Sequence, residues 1–474
     1  MVAMLHSRLA LPVVVDSAIR FTVAGCPPEL ARALRVDLSI ANPEHARLEH
    51  LGKWTGHVPR GLEFLERDGD CYVMPRGALG LLRQRAGELG QPLELQNHMV
   101  RFPCEPILVK VELRPYQIAA VEAMVAGVQG VVEAPCGSGK TTTAVAAIGR
   151  GGQPSLVIAH THALLGQWCE QIWTLLKVRA GTVTEGVCNP SRLTVATVQT
   201  LVRLEPLDFQ ELVARFGLVL LDECHHVPAS TFRDVLSRIP ALYRFGLTAT
   251  PERDDGLGPL VGFTLGPTLH RVGYDELVGA GYLQRPEVCT IRTSFTFDWK
   301  GPEDWGRCMQ ALVQDPERNN LIARLVAREV AADHTVLILS TRIEHLELIR
   351  VALAERGIVA EVLVGKTKAS DRASILERFR SGSLRVVLSS QLADEGLDVP
   401  RLDRLVLAAP SKARGRTVQR LGRIMRCHPG KVAPVLFDLV DSAVGPLRWQ
   451  AVQRQRAYAE LLGVQPEARK AAHG

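Results

Sequence analysis

From residue 113 onward the chain alternates short runs of consecutive apolar residues with longer stretches whose apolar positions recur every three or four residues. The first pattern fits strands buried on both faces and the second fits amphipathic helices that cover them, so the alternation predicts parallel sheets of the α/β class. Strands are expected at 130–133, 155–159, 194–196, 218–221 and 244–247, and a second series at 335–339, 359–364, 385–388, 404–408 and 432–438. Most of these runs end where a charged or glycine-containing loop begins. Ligands of open parallel sheets bind at the carboxyl ends of strands, so those loops are where chemistry is expected.

Two similar α/β halves therefore occupy 111–275 and 316–445. Residues 276–315, with Trp299 and Trp305, read as a connector carrying some strand, and 446–474 as a terminal helix and tail. In that helix Leu447, Ala451, Tyr458, Leu461 and Leu462 are available for packing, and the arginines read as a solvated face. Residues 1–110 differ: strand-like runs at 13–15 and 19–23 precede a helix-like stretch at 78–89, the pattern of a smaller α+β accessory domain whose candidate role is DNA binding. Glu66, Asp68 and Asp70 in this part read as an acidic surface turn, not as nuclease carboxylates.

At 474 residues, with 46% hydrophobic and 22% charged residues, the chain is long enough for two or three domains and is not of disordered composition. The formal charge of +6 permits nucleic acid as a partner without requiring it. Ten cysteines include no CxxC pair, which speaks for reduced thiols over a disulfide framework or zinc site. An iron–sulfur cluster on Cys136, Cys169, Cys188 and Cys224 would need ligands at long, irregular gaps. No signal peptide or membrane span is expected, which places the protein in the cytoplasm, near the nucleoid, in a bacterium or phage host, or in the nucleus of a eukaryote.

The segment 134–141, APCGSGKT, lies between a strand and a helix, which is the context a phosphate loop requires. Gly137, Ser138, Gly139 and Thr142 belong to a turn whose backbone N–H groups approach phosphates at a helix N-terminus, Lys140 reaches the β- and γ-phosphates, and the Thr141 hydroxyl holds magnesium. The run LVLLDECHH ends a strand in two carboxylates: Asp222 is assigned to magnesium and Glu223 to the attacking water. His225 and His226 read as coupling this strand end to neighbouring loops, not as metal ligands. Far downstream, QRLGRIMR at 419–426 puts Gln419, Arg423 and Arg426 on one face if helical, a face suited to a triphosphate.

Together these elements resemble the superfamily 2 helicases and translocases over roughly 113–430, in the family's order. The resemblance implies two tandem RecA-like parallel-sheet domains with ATP and Mg2+ as cofactors. LRPYQ at 113–117 resembles the adenine-recognising motif, implying that Gln117 contacts adenine with Arg114 nearby. LTATP at 247–251 resembles the coupling motif, and SSQLADEGLDVP at 389–400 the motif in which Gly396 approaches the nucleotide and Asp398 the ribose. QRLGRIMR resembles the arginine-finger motif, implying that Arg423 and Arg426 contact the γ-phosphate.

Within the superfamily, DECHH and GLTATPERDDG look most like the XPB-type DNA-repair helicases and related phage and restriction-motor proteins. Arg253, Asp254 and Asp255 stand near the place of that group's Arg-Glu-Asp element but depart from it at the middle residue. Family position implies contacts to the DNA backbone from Thr161, His162, Thr197, Gln199, Ser340, Thr341, Arg342, Lys366 and Lys368. The expected function is an ATP-dependent DNA helicase or duplex translocase acting in repair, recombination or branched-DNA processing. Three alternatives stay open: an RNA helicase, a DNA-structure-binding remodeller, and the motor subunit of a restriction or defence complex with a nuclease partner.

Overall fold

The computed structural model describes residues 9–249, 256–390, 399–410, 422, 424–428, 430–463 and 467–469. They form two compact units, residues 1–134 with 139–272, and 135–138 with 273–474.

The first unit contains an eight-stranded sheet in the order Val187–Asn189, Gly181–Thr184, Leu193–Thr197, Ser155–Ala159, Leu218–Leu221, Tyr243–Thr248, Gln129–Glu133 and Thr268–Arg271. Every pair is parallel except the first. The central strands SLVIA, LTVAT and LVLL are buried at every position, as strands sandwiched between helix layers must be. This order places the carboxyl ends of Gln129–Glu133 and Leu218–Leu221 on either side of Tyr243–Thr248. The phosphate loop and the Asp222–Glu223 pair, remote in sequence, leave the same edge of one sheet two strands apart.

The same unit carries the N-terminal accessory domain. Its mixed five-stranded sheet runs Glu66–Asp68, Cys71–Pro75, Ala18–Thr22, Leu11–Val15 and Leu93–Asn97. Leu11–Val15 alternates buried and more exposed positions, the mark of a sheet with one face on a core, here packed against the helices Pro28–Asp37 and Leu79–Glu88. Two buried arginines fasten this domain to the large sheet. Arg76 donates from Nη1 to Ala241 O (2.5 Å), from Nη2 to Leu242 O (3.1 Å) and from Nε to Gln129 Oε1 (2.8 Å). Arg244, in the strand Tyr243–Thr248, donates from Nη2 to Ser17 O (3.2 Å), Leu236 O and Ile239 O (both 2.9 Å). Burial lowers the Arg244 pKa to about 10, so it keeps its charge at neutral pH, spread over carbonyl oxygens. Gly77 allows the close approach: a Cβ there would lie 2.5 Å from the backbone of Gly262, Phe263 and Gly266.

The second unit is built on a parallel seven-stranded sheet, Ala360–Leu363, Val386–Ser389, Val336–Leu339, Arg404–Leu407, Val435–Val440, Glu287–Arg292 and Glu467–Arg469. Glu287–Arg292 lies in the stretch read as a connector, yet it pairs along its length with Val435–Val440. In the helix Gly445–Leu462, Arg448 and Arg456 are exposed, as the solvated-face reading expects, and Arg454 corrects it. Arg454 is buried and binds Asp438, with Nη2 2.8 Å from Oδ1, and Tyr458 Oη donates to Asp438 Oδ2 (3.0 Å). No helix among the described residues is long and apolar enough to cross a membrane.

Candidate functional site

The strand Gln129–Glu133 ends where Ala134 N bonds Thr248 O (3.0 Å), tying the start of the phosphate loop to the neighbouring strand. Gly137 (φ 85°) and Gly139 (φ 81°) adopt left-handed conformations, which turn the chain sharply into the helix Lys140–Gly151. Lys140 and Thr141 therefore stand on that helix's first turn, where free N–H groups and the helix dipole favour anions. Lys140 Nζ lies 3.1 Å from Ala134 O. Gln117 is buried on the helix Pro115–Ala126: its Oε1 accepts from Arg114 N (3.0 Å), and its Nε2 lies 2.7 Å from where a Gly139 Cβ would be. The residues expected at adenine and at phosphate thus adjoin within one domain.

At the end of Leu218–Leu221, Asp222 and Glu223 take different conformations. Glu223 is left-handed (φ 49°, ψ 53°), a conformation that costs a non-glycine residue about 1–3 kcal/mol and gathers at functional sites. Its N–H donates to Asp222 Oδ1 (2.9 Å), and Trp168 Nε1 donates to Asp222 Oδ2 (2.8 Å). Burial, with the adjacent Glu223 charge, pushes the Asp222 carboxyl up from the ordinary range. Burial acts on Glu223 in the same sense, but His225 and the Lys140 charge outweigh it and hold Glu223 ionised. A carboxylate held that low is a weak base and a strong acceptor, suited to orienting water.

The two histidines reach in different directions. His225 Nδ1 lies 3.3 Å from Glu223 Oε2 and 3.5 Å from Thr248 Oγ1. His226 stacks on His160 (centroids 4.4 Å apart, planes 13° apart), and both rings stack on Phe232. His160 precedes Thr161, and its carbonyl accepts from Gln199 Nε2 (3.1 Å). A chain of contacts thus runs from Glu223 to two loops expected to meet nucleic acid. Among the described residues no group of three or more His, Cys, Asp or Glu is arranged to hold a metal ion by itself.

The residues assigned to the DNA backbone all follow carboxyl ends of strands. His162, Gln199, Thr341, Arg342, Lys366 and Lys368 are exposed. Three others are committed to the fold. Thr161 Oγ1 caps its helix at Leu164 N (3.3 Å), Thr197 is buried with its hydroxyl 2.8 Å from that of Thr200, and Ser340 is buried with Oγ 2.9 Å from His345 Nδ1. In the second unit, Arg426 bridges to Leu283. Lys431, with no motif to announce it, donates from Nζ to Ile424 O (2.6 Å), Arg426 O (2.8 Å) and Pro400 O (3.3 Å). Thr250, Pro251, Arg253, Asp254, Asp255, Gly396, Asp398, Gln419 and Arg423 lie outside the described residues.

Trp168 is the other residue sequence reasoning passed over. It lies on the helix His162–Leu176 among ordinary apolar neighbours, and only its indole N–H distinguishes it from core.

Residues 110–253 match the family described as "Type III restriction enzyme, res subunit", and residues 317–428 match "Helicase conserved C-terminal domain". The "DNA 3'-5' translocase XPB2" of Sulfurisphaera tokodaii is 28% identical over 408 residues, 77% of this chain and 90% of that protein. The "DNA 3'-5' helicase XPB" of Mycobacterium tuberculosis is 27% identical over 412 residues, 83% of this chain and 72% of that protein. The solved structure of S. cerevisiae Dbp5 bound to RNA and ADP BeF3 covers 83% of this chain and 94% of that one, with a TM-score of 0.55 and 13% identity, a likeness of fold.

Proposed function

We propose, for a chain that belongs to the superfamily 2 helicases and translocases and is most like their XPB-type members, that it is an ATP-dependent DNA helicase or duplex DNA translocase. The observation that carries this reading is the convergence, on one sheet edge, of a phosphate loop, the adjacent carboxylates of buried Asp222 and half-buried Glu223, and the Thr248 strand between them.

The donor set fits ATP and magnesium. Two adjacent carboxylates, the buried Asp222 pushed up by burial and by its neighbour's charge, form a place that a divalent cation would relieve. Backbone N–H groups of Gly137, Ser138 and Gly139, together with Lys140 and Thr142, would hold the phosphates, Thr141 and Asp222 the magnesium, and Gln117 with Arg114 the adenine. When bound, magnesium supplies charge neutralisation on the phosphates. Glu223 orients the attacking water, and its backbone conformation and His225 fix the carboxylate for that task. The family resemblance assigns Gly396, Asp398 and Gln419 to the nucleotide and Arg423 and Arg426 to the γ-phosphate, where guanidiniums offset charge that develops during transfer.

DNA is preferred over RNA as the track because the Sulfurisphaera tokodaii and Mycobacterium tuberculosis relatives are named as DNA 3'-5' motors, which makes that direction the one to test first; a mimivirus relative named as an RNA helicase keeps RNA in the test. Repair, recombination or fork processing is the setting this suggests. The first domain's match to a restriction-enzyme subunit supports a second reading, a motor that serves a nuclease partner, which copurification would reveal.

ATP turnover measured with duplex DNA, forked DNA and RNA tests the primary reading. DNA should stimulate it; K140A should abolish it, and E223Q should lower kcat about 100-fold or more while ATP still binds. Turnover indifferent to DNA, or unchanged in K140A, sinks the proposal.

A further inference from the structure

The accessory domain presents one aromatic side chain in an unusual way. Trp54 is 72% exposed, in the loop that joins the helix Pro43–His50 to the strand Gly61–Glu63. An exposed indole is commonly a rotating side chain, but this one lies in a built loop. A Cβ on Gly56 would sit 2.3 Å from the Trp54 ring, so only glycine lets the indole lie down on that backbone. His57 meets the ring edge-on, with centroids 4.2 Å apart and planes at 86°. The loop's own hydrogen bonds close it: Lys53 N to Leu48 O (2.9 Å) and Val58 N to Thr55 O (2.8 Å). Buried Asn42 anchors its far end, donating from Nδ2 to Pro59 O and from its backbone N to Arg60 O, both at 2.9 Å.

The charge carried by the loop itself has one sign. Residues 51–62 contain Lys53 and Arg60 and no carboxylate. On the flanking elements Glu44 pairs with Arg47 and Glu63 with Arg35, and Glu49 lies 3.9 Å from His45 Nδ1. Lys53 and Arg60 make no salt bridge among the described residues. Trp173, also exposed, offers a contrast, because Lys177 and Arg179 of its own domain lie over its ring. The indole of Trp54 is held flat and left open on a loop whose charged side chains, Lys53 and Arg60, are both cations, which is the chemistry that receives an unpaired nucleobase and its phosphates.

We propose that Trp54, with Lys53 and Arg60, is a stacking site for an unpaired nucleotide, so that the accessory domain engages single-stranded nucleic acid beside the motor. The inference rests on the reading of the chain as a nucleic-acid motor. Arg76 and Arg244 fasten the accessory domain that carries this loop to the first motor domain, so a nucleotide held there would move with that domain.

Fluorescence anisotropy on the full chain, with a blunt duplex and with the same duplex bearing an unpaired tail, tests this. W54A should weaken binding to the tailed duplex about tenfold and to the blunt duplex less than twofold, with the melting temperature and DNA-free ATPase unchanged. W54F should recover most of the loss. G56A keeps the tryptophan but lifts its ring off the loop, and should resemble W54A. If W54A binds the tailed duplex as the wild type does while DNA still stimulates ATPase, this inference alone fails, and Trp54 is then better explained as a protein-docking residue. If no nucleic acid stimulates the wild-type ATPase, the motor reading fails and takes this inference with it.

Discussion

At the residue scale, chemistry in this protein depends on side chains that do not themselves react. Trp168 donates to Asp222 Oδ2, one of the two oxygens available for a cation or for hydrogen bonds. Replacing it with phenylalanine leaves a buried charged acceptor without its donor, a loss of about 1.5–3 kcal/mol. W168F should therefore lower kcat/KM for ATP roughly tenfold or more and shift the magnesium concentration needed for half-maximal turnover. A fall in melting temperature with an unchanged magnesium requirement would reduce Trp168 to packing. Lys140, Asp222 and Glu223 were legible in sequence because phosphate-loop and strand-end carboxylate chemistry demands fixed residue types at fixed local spacing. Trp168 was not: a donor matters only once the fold has aimed it. Ser340 and Thr197 show the converse, hydroxyls in family positions whose hydrogen bonds serve the loops themselves.

Among elements, the terminal helix Gly445–Leu462 illustrates how an arginine-rich sequence hides a core. Asp438 sits in the strand Val435–Val440 with both oxygens engaged by Arg454 and one also by Tyr458. Removing one partner of a buried pair leaves the other charge uncompensated, so D438N should destabilise the second domain by about 3–5 kcal/mol in urea unfolding. A loss under 1 kcal/mol would show the pair to be dispensable. His345, on the helix Ile343–Ala354, should make that domain acid-sensitive. Its ring lies between Ser340 Oγ (2.9 Å) and Asn319 Oδ1 (3.0 Å), and burial with the Arg318 charge lowers its pKa to about 3. An unfolded histidine titrates near 6.5, so below that pH the unfolded chain takes up a proton that the folded one refuses. This contribution is present above about pH 6.5 and is lost as pH falls toward 3, at up to about 1.4 kcal/mol per pH unit. Between pH 7 and 5 the second domain's urea midpoint should fall more in the wild type than in H345Q. Equal falls would assign the acid sensitivity elsewhere.

At the largest scale, the accessory domain and the first motor domain belong to one compact unit, fastened by the Arg76 and Arg244 guanidiniums. R76A would leave Ala241 O, Leu242 O and Gln129 Oε1 without their donor in a buried interface, and should cost about 3 kcal/mol. Limited proteolysis should then cut the segment joining the two domains faster than in the wild type, while K140-dependent ATP binding persists. An unchanged cleavage rate would mean that the remaining contacts suffice. The apolar periodicity was enough to find the two parallel sheets, and local motifs the phosphate loop and the carboxylate pair, because strand burial and phosphate chemistry each constrain neighbouring residues along the chain. Tertiary structure alone decided that the phosphate loop and Asp222 share a sheet edge, that Glu287–Arg292 joins the second sheet, that Arg454 is buried, and that Arg76 fastens the accessory domain to the first motor domain. Each of these depends on residues far apart in sequence, whose meeting is set by strand order and close packing and leaves no periodic trace in either partner's local pattern.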